Sequence, residues 1–351
     1  MSLDKRINAF VELGRFLSQF KSQEKLNEME KLNEQFYEDF NYLIDRQKAL
    51  NGWFTKRFVL DAIDAISSML QRDKLEKWLS RYDLSKEQSK KVGVIMAGNI
   101  PLVGFHDFLT VLISGNELVA KTSSEDSTLI KKIAEILIAI ESDFSNKIKL
   151  VEKLENFDVV IATGSNNTAR YFDYYFGKYP NIIRKNRNSV AVITENDSTE
   201  ELKALGKDIF QYFGLGCRNV SKLYVPENYD FKTFFEALFD DFKDIIDNNK
   251  YANNYDYNKA VYLLGSHQLL DNNFLLLKEE KSLSSPVAVL HYEYYNNLDE
   301  LKQHLKTEKE NIQCVVSNNA EISSIKFGQA QQPELWDYAD GVDTMDFLIG
   351  N

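Results

Sequence analysis

KKVGVIMAGNIPLVGFHDFLTVLISGNELVAKTSS, residues 90–124, decides the fold class. Val92–Met96 is a short apolar run stopped by Ala-Gly-Asn-Ile-Pro, which reads as a buried strand ending in a turn. "LVGFHDFLTVLISG" then has helical spacing, and "NELVAKTSS" is a second strand. A strand, a helix and another strand in about 35 residues form a βαβ unit. Such a unit implies a parallel sheet with a right-handed crossover.

The pattern continues downstream. "DSTLIKKIAEILIAI" predicts a helix with Ile130, Ile133, Ile136, Leu137 and Ile140 on its buried face. "FDVVIATGS" is a third strand, and its Gly-Ser opens the helix "NNTARYFDYYFG". A second α/β series begins near "NSVAVITEN". It runs through the helix "STEELKALGKDIFQYF", a turn at Cys217, the strand "SKLYVP" and the helix "FKTFFEALFDDFKDII". An Asn/Tyr-rich loop, "DNNKYANNYDYNKA", precedes the strands "PVAVLHYEYY" and "IQCVVSN". "PNIIRKNRN", residues 180–188, is the expected linker between the two series. Upstream, residues 1–88 are helical in pattern, with Ile7, Phe10, Val11 and Leu17 recurring at helical spacing. These stripes read as a helical layer packed on a core.

Composition narrows the function. The 351 residues allow two domains or one large one, and 44% hydrophobic with 27% charged residues is an ordinary globular balance. A net charge of −11 argues against a general affinity for nucleic acid or anionic lipid. The N-terminus does not read as a signal peptide, no stretch approaches a membrane span, and a reducing cytoplasm is the expected compartment. Two cysteines, Cys217 and Cys314, make no disulfide framework, and four scattered histidines argue against a metal site.

No Gly-x-Gly-x-x-Gly, Walker-type loop or Gly-x-Ser-x-Gly elbow is present. In "FGLGCRNVSKLYVP", residues 213–226, glycines at 214 and 216 allow a tight backbone path beside Cys217, and Arg218 would favour its thiolate. Taken alone, Cys217 is either a nucleophile at a bend or a buried cysteine ending a helix. Cys314, inside an apolar strand, reads as core. Taken alone, Asn99 in its Gly-Asn-Ile-Pro context reads as a turn former, and Lys121 as a solvated strand-end lysine.

Several stretches together resemble the aldehyde dehydrogenase superfamily, and more closely its long-chain acyl-CoA reductase branch, the type that supplies aldehyde in bacterial luminescence. The strand, Asn-x-Pro turn, helix, Gly-Asn, strand and lysine of residues 90–124 are similar to the superfamily's. So are the Thr-Gly-Ser turn of "VVIATGSNNTAR", the cysteine and strand of "GLGCRNVSKLYVP", and, for the reductase branch, "PELWDYADGVDTMDFL". The resemblance covers residues 90–350 in order and the N-terminal helices more loosely.

It implies two Rossmann-like parallel-sheet domains with a helical N-terminal layer. The expected divisions are 1–88 (helical layer), 89–184 (cofactor domain), 185–325 (catalytic domain carrying Cys217) and 326–351 (C-terminal segment returning to the cofactor domain or an oligomer interface). Cys217 would be the nucleophile on an acyl-CoA or other activated acyl substrate, and Asn99 would hold the oxyanion with the Cys217 backbone N–H. Ala97, Gly98, Lys121, Thr163, Gly164 and Ser165 would contact a nicotinamide cofactor, with the diphosphate near a helix N-terminus.

Departures from the pattern refine this expectation. Arg184 stands where aldehyde-oxidising members carry a water-activating glutamate, which implies a reductase. Ser282 replaces the glutamate that holds the nicotinamide ribose, with Ser284 at that segment's phenylalanine. Ser124 replaces a glutamate that would repel a 2′-phosphate, so NADPH is expected over NADH, although Glu125 is adjacent. The expected function is NADPH-dependent reduction of an acyl-CoA to an aldehyde in a homo-oligomer. Aldehyde oxidation and a non-catalytic binding subunit are the alternatives.

Overall fold

The computed structural model describes residues 1–84 and 89–350. Its chain divides into two compact units, Met1–Lys185 joined by the segment from Glu334 onward, and Asn186–Pro333. The expected division at residue 88 falls outside the described residues.

The first unit opens with four helices: α1 (Leu3–Ser22), α2 (Glu30–Leu50), α3 (Lys56–Met69) and α4 (Arg72–Leu79). Ser2 and Thr55 cap α1 and α3 through their hydroxyls, satisfying N–H groups that the first turn leaves free. Phe10, Leu13, Phe16, Leu17 and Phe20 form one fully packed stripe on α1. A Cβ on Gly14 would lie 2.7 Å from that of Leu70, so the glycine lets α1 and α3 approach closely.

There follow β1 (Lys91–Ile95), α5 (Phe105–Ile113), β2 (Glu117–Lys121), α6 (Thr128–Ile140), β3 (Ile148–Leu150), β4 (Val159–Thr163), α7 (Asn166–Phe176) and β5 (Asn181–Arg184). These strands form a parallel sheet in the order β3-β2-β1-β4-β5. Val92, Val94, Leu118, Ala120, Val159 and Ile161 are buried, as expected where a parallel sheet is covered on both faces. The chain winds outward from β1 to β3 and then returns to β4 on the other side of β1. That reversal puts a topological switch point at the carboxyl ends of β1 and β4, where α/β sheets form their binding crevice.

The second unit contains β6 (Asn188–Val192), α8 (Thr199–Phe210), β7 (Val220–Pro226), α9 (Phe231–Phe242), α10 (Asn249–Leu264), β8 (Leu270–Asp271), β9 (Leu276–Glu279), β10 (Val289–Tyr295), α11 (Leu298–Thr307) and β11 (Ile312–Val316). Its sheet runs β11-β6-β7-β10-β9-β8 and is parallel except for the short β8–β9 pair. α12 (Thr344–Gly350) belongs to the first unit.

One sequence expectation fails here and another is refined. "DNNKYANNYDYNKA" is not a loop, because residues 249–264 form α10. Its buried face is Tyr251, Tyr255 and Asn258, spaced as on a helix but lacking the aliphatic residues that usually reveal one. Asn248 caps it, its Oδ1 accepting from the N–H groups of Lys250 and Tyr251. Within the expected linker, Asn181–Arg184 is the strand β5, paired with β4 over four residues.

Candidate active site

The predicted residues of the first unit converge on one edge of its sheet. Ile95 is level with Lys121 of β2 and Ala162 of β4, so Met96–Asn99, Lys121 and Thr163–Ser165 leave adjacent strands at the same height. Asn99 and Lys121 are exposed.

The turn carrying Asn99 is fastened on both sides. The Met96 N–H donates to the Lys121 carbonyl at 3.0 Å. A Cβ on Gly98 would meet Ser123 Oγ at 2.4 Å, so only glycine lets the turn lie against the 123–125 segment. Leu102, just beyond Pro101, adopts φ 58°, an uncommon conformation for a branched aliphatic residue. Its N–H donates to Asp126 Oδ2 at 2.6 Å. Burial pushes the Asp126 carboxyl up to about 7, and its Oδ1 has no hydrogen-bond partner. Composition did not single out Asp126, although an aspartate just before a helix is a capping signal.

At β4, Ser165 caps α7, its Oγ accepting from the Thr168 N–H at 3.2 Å. Gly164 packs closely on Thr168 and Phe172, where a Cβ would meet atoms at 3.1 and 2.9 Å. This glycine turn at a helix start is the geometry that receives a phosphate on backbone N–H groups. Nearby is a cavity of about 650 Å³ lined by Ile95, Lys121, Leu154, Phe157, Tyr175 and Tyr179 among others. Lys153, Lys178, Glu152 and Glu155 add charges of both signs to its wall. Aromatic faces beside lysines suit a stacked base and an anion, so these residues fit a dinucleotide. The sequence reading reached Lys121 but not the aromatic wall, which α7 and the 152–157 segment supply from different parts of the chain.

Arg184 is a structural residue. It is 5% exposed, and its guanidinium grips Asp107 by two bonds of 2.6 and 2.9 Å. Nη2 also donates to Thr344 Oγ1 at 2.9 Å, and Nη1 lies 3.5 Å from Thr163 Oγ1. A side chain so engaged is not a base for water.

In the second unit, Cys217 is exposed and Cys314 buried. Cys217 precedes the amino end of β7, opposite to the carboxyl-end crevices of ordinary α/β sheets. Three consecutive left-handed residues, Tyr212 (φ 52°), Phe213 (φ 57°) and Gly214 (φ 75°), turn the chain sharply from α8 toward it. Two bulky residues in that region carry strain of the kind found at functional turns.

Asn219, 3% exposed, supports the turn from beneath. Its Oδ1 accepts from the Gly216 N–H at 2.8 Å, and its Nδ2 donates to the Asp208 and Gln211 carbonyls at 3.0 and 2.8 Å. The Arg218 Nε donates to the Ala330 carbonyl. Asp208 accepts from the Gly328 and Ala330 N–H groups, and burial raises its carboxyl to about 6. Ser282 is exposed, its Oγ donating to the Ser284 carbonyl at 3.1 Å. Among the described residues no group of His, Cys, Asp or Glu is arranged to hold a metal, and no helix is long and apolar enough to cross a membrane.

Two parallel-rich sheets in this order, with a glycine turn at one switch point, define an aldehyde dehydrogenase-like α/β fold. Solved structures agree. The aldehyde dehydrogenase 21 of Physcomitrella patens, crystallised with succinate, superposes with TM-score 0.62 at 13% identity, over 92% of this chain and 74% of that one. A Bacillus cereus aldehyde dehydrogenase in complex with NAD+ gives 0.63 at 15%, over 92% and 73%. An oxidoreductase from Marinobacter aquaeolei gives 0.65 at 10%, over 95% and 79%.

The chain belongs to the acyl-CoA reductase (LuxC) family, whose model matches residues 4–249. A long-chain acyl-protein thioester reductase of Aliivibrio fischeri is 26% identical over 227 residues, 59% of this chain and 47% of that protein. Long-chain acyl-protein thioester reductase 2 of Photobacterium leiognathi is 22% identical over 237 residues, 61% and 48%. The chain spans about half the length of these curated relatives.

Proposed function

We propose that this protein reduces a long-chain acyl thioester to an aldehyde through an acyl intermediate on Cys217. The observation that carries this reading is the family match over residues 4–249, a span that includes Asn99, Lys121, Thr163–Ser165 and Cys217. The exposure of Cys217 on a strained turn supports its role as nucleophile.

The Cys217 thiolate attacks the thioester carbonyl, and the carrier's thiolate leaves with the bonding electron pair. Asn99 and the Cys217 N–H hold the oxyanion, where the loss of one such donor costs about 100- to 1000-fold in rate. Lys121, Thr163, Gly164 and Ser165, with Ala97 and Gly98, hold a nicotinamide dinucleotide, NADPH in preference to NADH. The bound cofactor supplies the hydride that reduces the acyl group. The thiohemiacetal on Cys217 then collapses, regenerating the thiolate and releasing aldehyde. The burial and ion pairing of Arg184 support reduction over aldehyde oxidation, because that position offers no base to hydrolyse the acyl-enzyme.

The carrier is a protein thioester or coenzyme A. The family's description names acyl-CoA, and the curated relatives are named for acyl-protein thioesters. The protein acts in the cytoplasm as a homo-oligomer. Mass spectrometry after mixing with acyl-CoAs and acylated protein, without reductant, tests the reading. An acyl mass on Cys217, lost in Cys217→Ala, is expected, together with faster oxidation of NADPH than of NADH. An adduct elsewhere, or unchanged turnover in Cys217→Ala, refutes it.

A further inference from the structure

Ser189 is a fully buried hydroxyl in the second residue of β6, and the thioester mechanism does not use it. Its Oγ donates to the Cys217 carbonyl at 2.9 Å and accepts from the Cys314 N–H at 3.2 Å. The Cys314 thiol lies 3.1 Å from the same oxygen.

Both register irregularities of the second sheet meet at this residue. The β6–β7 ladder shifts between Ser189 and Val190, and the β11–β6 ladder shifts between Ile312 and Val315. A bulge opens the regular ladder and re-aims the groups beside it. Here the opened ladder leaves one hydroxyl spanning β6, β11 and the turn before β7.

We infer that Ser189 is a positioning residue for the nucleophile, its hydroxyl fixing the peptide plane that follows Cys217. This inference rests on the reading of Cys217 as the acyl acceptor. Two anchors then define the cysteine's backbone. Asn219 pins Gly216, its Oδ1 accepting from the Gly216 N–H and its own N–H donating to the Gly216 carbonyl at 3.0 Å. Ser189 pins the Cys217 carbonyl. Between these anchors the direction of the Cys217 Cα–Cβ bond is set, and with it the approach of Sγ to a carbonyl. Cys314 has a supporting part as the backbone donor that orients the Ser189 hydroxyl, so the two cysteines are joined through this serine.

The test is single-turnover acylation of full-length protein with a long-chain acyl-CoA, followed by mass spectrometry of Cys217. Its readouts are the rate constant and the final amplitude. Ser189→Ala removes the hydroxyl, and Ser189→Cys keeps a side-chain group at that place but replaces the hydroxyl with a somewhat larger, weakly donating thiol. Both variants are expected to acylate Cys217 about 10- to 100-fold more slowly at saturating acyl-CoA, with the half-saturating concentration unchanged and full amplitude. A merely structural serine would lower the amplitude, which counts folded protein, and leave the rate constant alone. A wild-type rate constant in either variant overturns the inference, including the case in which only Ser189→Cys folds. Failure of wild-type protein to acylate Cys217 at all refutes the mechanism itself, and this inference with it.

Discussion

Replacing Asp107 by Ala should cost far more stability than a single ion pair on a surface. The Arg184–Asp107 contact is closed by two bonds of 2.6 and 2.9 Å, and the side chains are only 6% and 8% exposed. Alanine takes away the carboxylate that the buried guanidinium grips by two bonds, while the bond to Thr344 Oγ1 at 2.9 Å remains. Breaking a buried ion pair by removing one partner costs about 3–5 kcal/mol, whereas an exposed pair is worth about 0–1 kcal/mol. For a unit of this size each kcal/mol moves the melting temperature by about 2–4 °C, so a fall of roughly 6–20 °C is expected. Thermal scans and urea midpoints on wild type and Asp107→Ala measure it.

The double variant Arg184→Met/Asp107→Leu removes both charges together and should recover most of the loss, because matched apolar groups often replace a buried pair at little cost. Arg184→Glu sets two carboxylates against each other and should be less stable than Asp107→Ala. The glutamate of aldehyde oxidation therefore cannot be restored by this one change. A drop under about 1 kcal/mol for Asp107→Ala, or a double variant no better than the single one, would refute the argument that Arg184 is a structural cation.

Two further outcomes follow from the turns. The Asp126 carboxyl titrates near 7 when folded against an ordinary 3.8, so its charged form costs stability that grows between those values and is constant above them. Asp126→Asn keeps an acceptor for the Leu102 N–H, and should stabilise on the order of 2–4 kcal/mol at pH 8 with no gain near pH 4. A gain independent of pH in urea titrations would contradict this. Asn219→Ala removes three bonds beneath the Cys217 turn and should cost about 2–4 kcal/mol. It should also slow alkylation of Cys217 by iodoacetamide, and unchanged stability would show that the turn does not depend on Asn219.

Much of the architecture was legible because apolar runs and turn residues alternate with a clear period. Val92–Met96, Glu117–Lys121 and Val159–Thr163 are short, apolar and punctuated, so a βαβ series could be read locally. α10 could not, because Tyr251, Tyr255 and Asn258 bury a face that hydrophobic periodicity does not detect. β5 was hidden in a polar stretch, since half of its residues gain their environment only by pairing with β4. Cys217 stood out by its glycine turn, but its reading as nucleophile, and the oxyanion role of Asn99, came through resemblance to a family.

What the sequence alone determined is most of the order of strands and helices and, through resemblance to a family, the aldehyde dehydrogenase-like class and the candidates for chemistry. The strand and helix order is a local property, carried by periodicity and by turn residues whose backbone preferences do not depend on distant neighbours. Only the tertiary structure decided which carboxylate meets Arg184, which buried acid holds the Asn99 turn and which hydroxyl meets the Cys217 carbonyl. Asp107, Asp126 and Ser189 lie 77, 24 and 28 residues from those partners. Their roles come from desolvation and from hydrogen bonds that exist only when the sheet is assembled.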